Sequence, residues 1–270
     1  RGLAHLLDCG GFGDFIERHE ITFTSGATEA INQALFGFAG REGFRRLLVS
    51  PLEHKAVLAV ADELARRGVR VEYLQPLDGE ITPAVLKAAG LAAGDVVVAM
   101  LVNNETGVLT DVSRLANAAH RKGALLFCDA TQGFGLEEVT VTALNADALV
   151  LSGHKFGGPR GAGLLWHRAE LGLKPFILGG EQERGFRAGT SNVPANVGLA
   201  LAMERAESSD LNFMAGSASC IGADLFRERA LALEYCGRDG IAVAAPGHLE
   251  AFETELSRVK EFLGLYFAED

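Results

Sequence analysis

The sequence predicts an α/β protein with a mostly parallel central sheet flanked by helices. Three observations predict it. Apolar runs of strand length alternate with amphipathic stretches of helical length through the first two thirds of the chain. One run, Val96–Val102, is apolar throughout, which is the pattern of a strand buried on both faces. Apolar residues make up 48% of the 270, enough for a sizeable core, against 22% charged residues.

In chain order, Ile21–Thr24 is a strand, because every residue is β-branched or aromatic. Ala27–Phe38 is a helix, with apolar residues returning every three or four positions. Leu47–Ser50 is a strand and His54–Arg67 a helix, whose apolar stripe is Val57, Val60, Ala61 and Leu64. Val69–Leu74 is a strand, and Pro83–Ala89 a helix entered through proline. After the apolar strand Val96–Val102 comes the helix Val112–Arg121. Leu125–Asp129, Ala148–Ser152 and Gly163–His167 are further strands. Around Glu204–Asn212 charged and small residues take over, predicting a boundary between a large domain, 1–206, and a small one, 207–270. The small part holds a helix over Asp224–Leu233, a strand over Ile241–Ala244 and a helix over Leu249–Leu265.

Composition excludes several classes. The formal charge of −10 argues against nucleic acid as the main partner. No apolar run approaches the ~20 residues of a spanning helix, so no membrane association is expected. Cys9, Cys128, Cys220 and Cys236 are scattered, with no CxxC or Cys/His cluster. That predicts neither a disulfide framework nor a metal site, and a cytoplasmic location. The chain opens on Arg1 without the apolar block of a signal peptide, which suggests a processed start or part of a longer product.

In open α/β sheets ligands sit beyond the carboxyl ends of the strands. The residues that follow each strand are therefore the ones to read. Thr24-Ser25-Gly26-Ala27-Thr28 opens a helix, and is either an N-cap or an anion cradle of free N–H groups and hydroxyls. His54 at a helix start is a capping residue or a flat ring for stacking. Asn103-Asn104 before Gly107 makes a turn or supplies amide donors. Asp129 ends a buried strand and needs a partner there, such as a cationic ring nitrogen. Gln132 follows it. Lys155 lies at a strand exit beside Ser152, His154 and a glycine-rich run, where an amine can form a Schiff base with a carbonyl. The run lacks the spacing of a nucleotide P-loop, and Gly10-Gly11-Phe12-Gly13 fails as a dinucleotide fingerprint. Phosphate cradle, stacking ring, acid and amine in this order match the needs of pyridoxal 5'-phosphate (PLP).

Six segments carry a resemblance: TSGATEA (Thr24–Ala30), EHKAV (Glu53–Val57), NNETG (Asn103–Gly107), DATQ (Asp129–Gln132), SGHKFGGPRGAG (Ser152–Gly163) and GGEQERGFRAGTSN (Gly179–Asn192). Through them the sequence resembles the class V aminotransferase family, and within it the cysteine desulfurases. The resemblance implies the fold type I of PLP enzymes, like that of aspartate aminotransferase, with a small and incomplete C-terminal α/β domain. It implies that Lys155 carries PLP, Asp129 pairs with the ring nitrogen and His54 stacks on the ring. Gln132 and Asn104 would lie near the phenolic oxygen. Ala27, Thr28, Ser152 and His154 would bind the phosphate. Thr190 would reach the phosphate of a neighbouring subunit, implying a homodimer. Arg187 and Asn192 would shape the substrate site with Asn104. The implied reaction takes sulfur from L-cysteine, leaving alanine and a persulfide on a loop cysteine for a sulfur-acceptor protein. Iron–sulfur cluster assembly and tRNA or cofactor thiolation are the pathways such a donor serves.

The C-terminal part departs from that pattern. In Ala215–Gly222 the family's cysteine position falls on Ser219, and Cys220, one place later, is the expected nucleophile. The strand that carries a carboxylate-binding arginine matches Ile241–Ala244, which has none; Arg238 is offset. The family's N-terminal arm and most of its small domain have no counterpart among these 270 residues. These departures keep open another class V enzyme, such as a selenocysteine lyase or an aminotransferase, and a non-catalytic dimeric partner that retains PLP.

Overall fold

The computed structural model describes residues 19–77, 79–137 and 139–206. Cys220, Arg238, Gly10–Gly13 and the elements expected between 207 and 270 lie outside the described residues.

The described elements run β1 (His19–Thr24), α1 (Ala27–Ala39), β2 (Arg46–Val49), α2 (Lys55–Arg66), β3 (Val71–Tyr73), α3 (Pro83–Ala88) and β4 (Asp95–Met100). They continue through α4 (Val112–His120), β5 (Leu125–Asp129), α5 (Val141–Leu144), β6 (Ala148–Ser152), β7 (Gly163–Arg168) and α6 (Val193–Ala206). The strands form one sheet in the order β1-β7-β6-β5-β4-β2-β3. Strand β7 runs antiparallel to both neighbours, β1 and β6. All other pairs are parallel. The sheet is thus mostly parallel, as the sequence predicts.

Both faces of the sheet are covered, which explains the unbroken apolar strand. Every residue of β4 is buried. Val96 and Val98 join Ile31, Leu35, Val57 and Val60 from α1 and α2 on one face. Val97 and Ala99 join Leu86, Leu115, Leu144 and Leu199 from α3, α4, α5 and α6 on the other. Successive strand residues point to opposite faces, so a period of two becomes a solid apolar run when each face has its own helical layer.

Strand β4 stops at Met100, two residues short of the apolar run. Val102 instead bridges Leu109, and the Asn103 side chain organises the turn between them. Helices α5 and α6 carry no clear sequence signal. In α6, Leu199, Ala202, Met203 and Ala206 are buried while Val193, Val197 and Leu201 are exposed. Apolar residues on both sides of the helix erase the amphipathic stripe.

At the end of the sheet away from the strand exits, buried charges lock the layers together. Arg46 bonds to Asp95 and Glu72, and donates to the Ala89 and Gly90 carbonyls that close α3. Asp147 accepts from the Leu126 N–H and pairs with His120 and Arg168. Among the described residues no helix is long and apolar enough to cross a membrane.

Candidate active site

The chain steps outward from β2 to β3, then returns to place β4 on the other side of β2. That reversal leaves a crevice beyond the carboxyl ends of the strands. The principal cavity lies there, about 630 Å3 in volume, lined from the segments that follow β1, β2, β4, β5 and β6.

The β1 exit supplies Ser25, Gly26, Ala27 and Thr28. Gly26 has φ 150° and ψ 178°, a conformation that only glycine adopts without strain. No side chain caps α1, so the first N–H groups of the helix are left for a ligand. Gly163 on β7 makes room for this turn, since a Cβ there would lie 2.6 Å from the Gly26 Cα.

His54 caps α2, its Nδ1 accepting the Ala56 N–H at 3.1 Å. An accepting Nδ1 leaves Nε2 as the ring's donor. The ring edges the cavity. The adjacent amides after β4 divide their labour. Asn103 accepts the Glu105 and Thr106 N–H groups at 3.0 and 2.9 Å and donates to the Leu52 carbonyl at 2.7 Å, while Asn104 lines the cavity.

Asp129 ends β5 at 3% exposure. Its Oδ1 accepts the Thr131 N–H at 3.0 Å. Burial raises its pKa, and the Thr131 hydrogen bond with the His54 and Lys155 charges opposes but does not cancel that rise. Gln132 follows on the rim. After β6, Ser152 Oγ lies 2.9 Å from His154 Nδ1. A tight 3₁₀ turn, Gly153–Lys155, presents Lys155 to the same cavity.

Ala27, Thr28, His54, Asn104, Asp129, Gln132, Ser152, His154 and Lys155 therefore line one space. Arg187, Thr190 and Asn192 do not. They line a neighbouring cavity of about 160 Å3 that shares Ser25 and Gly161 with the first. The Arg187 guanidinium is engaged there with Glu29, at 2.8 and 3.2 Å. Glu29 in turn accepts the Ser25 N–H at 2.9 Å, which links this loop to the cradle. Met100, Thr131 and Arg160 also line the principal cavity. Sequence alone assigns a role to none of the three: Arg160 and Thr131 stand inside the segments SGHKFGGPRGAG and DATQ, and Met100 is one residue of an apolar strand.

The chemistry of this donor set fits PLP. An uncapped helix start suits the phosphate, a buried acid suits a pyridinium nitrogen, and an amine lies beside both. Fold and cavity together are those of a PLP-binding domain of fold type I. The family model for aminotransferase class V matches residues 13–225, and the chain belongs to that family. A cysteine desulfurase of Cereibacter sphaeroides is 44% identical over 195 residues, covering 71% of this chain and 50% of that protein. A solved NifS-like protein superposes with a TM-score of 0.70 at 34% identity, covering 77% of this chain and 56% of that one. A solved SspA in complex with cysteine has a TM-score of 0.70 at 33% identity, covering 82% and 64%. The chain spans about half the length of the curated relatives it matches.

Proposed function

We propose that the whole protein is a PLP-dependent cysteine desulfurase, which converts L-cysteine to L-alanine and passes the sulfur on as a persulfide. The observation that carries this reading is the gathering of Asp129, His54, Lys155 and the uncapped start of α1 around one cavity, in a chain similar to cysteine desulfurases.

Bound PLP supplies an electron sink for charge developing at the substrate α-carbon. This chain's residues do the rest. The α1 N-terminus with Thr28, Ser152 and His154 holds the phosphate. Asp129 would hold the ring nitrogen's proton, and the His54 ring would pack against the cofactor. Asn104 and Gln132 orient the phenolic oxygen. Lys155 Nζ supplies the amine for the aldehyde and a base for the α-proton. Arg187 and Asn192 shape the substrate side of the site, and Thr190 reaches the phosphate of the second subunit of a homodimer. Cys220, outside the described residues, is the nucleophile: its thiolate attacks the substrate sulfur, an S–S bond forms, the C–S bond breaks and the carbon is protonated to alanine. Residues 1–206 form the cofactor domain and 207–270 belong to the domain that carries Cys220. The persulfide serves a sulfur-acceptor protein in the cytoplasm, for iron–sulfur assembly or thiolation. No feature of the cavity favours a selenocysteine lyase, an aminotransferase or a scaffold.

The test uses the full chain loaded with PLP. With L-cysteine and a reductant it should release sulfide and alanine in equal amounts. Cys220→Ser should abolish sulfide while leaving the substrate-induced change in cofactor absorbance. No alanine from the loaded wild type would overturn the proposal.

A further inference from the structure

Behind the cavity lies a carboxyl that the proposed chemistry does not use. Glu53 precedes the His54 cap, is 6% exposed and is not part of the cavity lining. Its Oε1 accepts the Met100 N–H at 2.8 Å. Met100 is the β4 residue in register with Asp129 on β5. Its Oε2 is buried without a hydrogen-bond partner among the described residues. Among the described residues, the charge that acts on Glu53 is that of Asp129, with no cation opposing it. Cys128, also from β5, is a buried thiol that both carboxyls push upward after burial itself, so it brings no positive charge. His54 and Lys155 act on Asp129. An ionised Glu53 would be a second buried anion, half solvated by one N–H and facing a like charge. Two carboxyls so placed cannot both ionise cheaply, and one keeps a proton. Asp129, with the Thr131 N–H and two basic groups, is the better anion.

We propose that Glu53 is a positioning residue: held as the neutral acid, it leaves Asp129 as the single anion at the back of the site, and through Met100 it ties the His54 turn to the strand beside Asp129. The positioning role rests on the PLP reading of the cavity; the protonation does not. Burial, then the Asp129 charge, push the Glu53 carboxyl up to about 8, with the Met100 N–H opposing. A carboxyl raised in the folded state stabilises fully below its unfolded value, and that contribution is lost as pH rises through the folded one.

The experiment compares wild type with Glu53→Gln, which is uncharged and keeps an acceptor for Met100. In the cofactor-free full chain, the Tm of wild type should fall relative to that of Glu53→Gln by several degrees between about pH 5 and about pH 9. Asp129→Asn, which removes the like charge, should move the wild-type inflection to lower pH, and this holds the test open if Glu53→Gln does not fold. At neutral pH Glu53→Gln should keep PLP affinity within about twofold, whereas Asp129→Asn weakens it more than about tenfold. Parallel pH profiles for wild type and Glu53→Gln overturn the neutral acid. A loss of about tenfold in PLP affinity for Glu53→Gln at neutral pH overturns it too, because the charge would then have been needed. A wild type that binds no PLP overturns the positioning role and the cofactor reading together, and the cofactor-free pH profile still decides the protonation.

Discussion

Lys155 owes its place to one turn of backbone. The strand β6 ends at Ser152, and the 3₁₀ turn that follows brings the amine back over the strand exit toward Asp129. Borohydride reduction of the PLP-loaded wild type should leave a cofactor adduct on Lys155 by mass spectrometry, and Lys155→Ala should carry none. Gly163 makes the opposite kind of contribution, by having no side chain. An alanine Cβ there would sit 2.6 Å from Gly26 Cα and 2.7 Å from the Leu151 carbonyl. Gly163→Ala should cost about 1–3 kcal/mol in chemical denaturation and weaken PLP binding, because the cradle itself must shift. Glu29 contributes through charge. Burial raises its carboxyl, but the Arg187 pair and the Ser25 bonds outweigh that and hold it below the ordinary value. A lowered carboxylate stabilises above its unfolded pKa and loses that as pH falls through the folded one. Arg187→Ala should therefore flatten the acid limb of the stability profile below about pH 4.5, read by thermal melts.

Among the helices, capping separates structure from function. Asp111 accepts the Arg114 N–H at 3.0 Å at the start of α4, and Thr82 and His54 cap α3 and α2. Helix α1 alone of these has no side-chain cap, and it opens on the cavity. Asp111→Ala should cost about 1 kcal/mol of stability and leave PLP affinity untouched. Inorganic phosphate, by contrast, should raise the Tm of the cofactor-free protein more than chloride does at equal ionic strength, and the effect should vanish in Thr28→Ala with Ser152→Ala. These elements were legible in the sequence to within a residue or two wherever period and boundary residues agreed, as for α1, α2, β5 and β6. Helix α6 was not, because both of its sides are apolar. The stop of β4 at Met100 was not, because a side-chain turn at Asn103 ends the pairing while the apolar run continues.

For the molecule as a whole, the sheet order is what turns scattered strand ends into one cavity. Excess PLP should stabilise the protein over its cofactor-free form in proportion to the logarithm of the PLP concentration, by about 2.7 kcal/mol at a hundredfold over Kd, read as a rise in Tm. Most of the cavity wall was readable in advance, since each strand exit carries residues whose chemistry has few ordinary uses: Thr28, His54, Asp129, Lys155. Local pattern alone yields the α/β class, the seven strands with helices α1 to α4, and the kind of cofactor, because each strand or helix records its own burial and each strand exit its own chemistry. The rest came from packing across the whole fold. It seated Arg187, Thr190 and Asn192 in a second cavity, gave Arg187 to Glu29, and put Glu53 behind Asp129, although Glu53 and Asp129 belong to different strand exits. Pairing register and the order of strands across a sheet arise from long-range packing, and no local pattern in a chain encodes which distant carboxyl will be its neighbour.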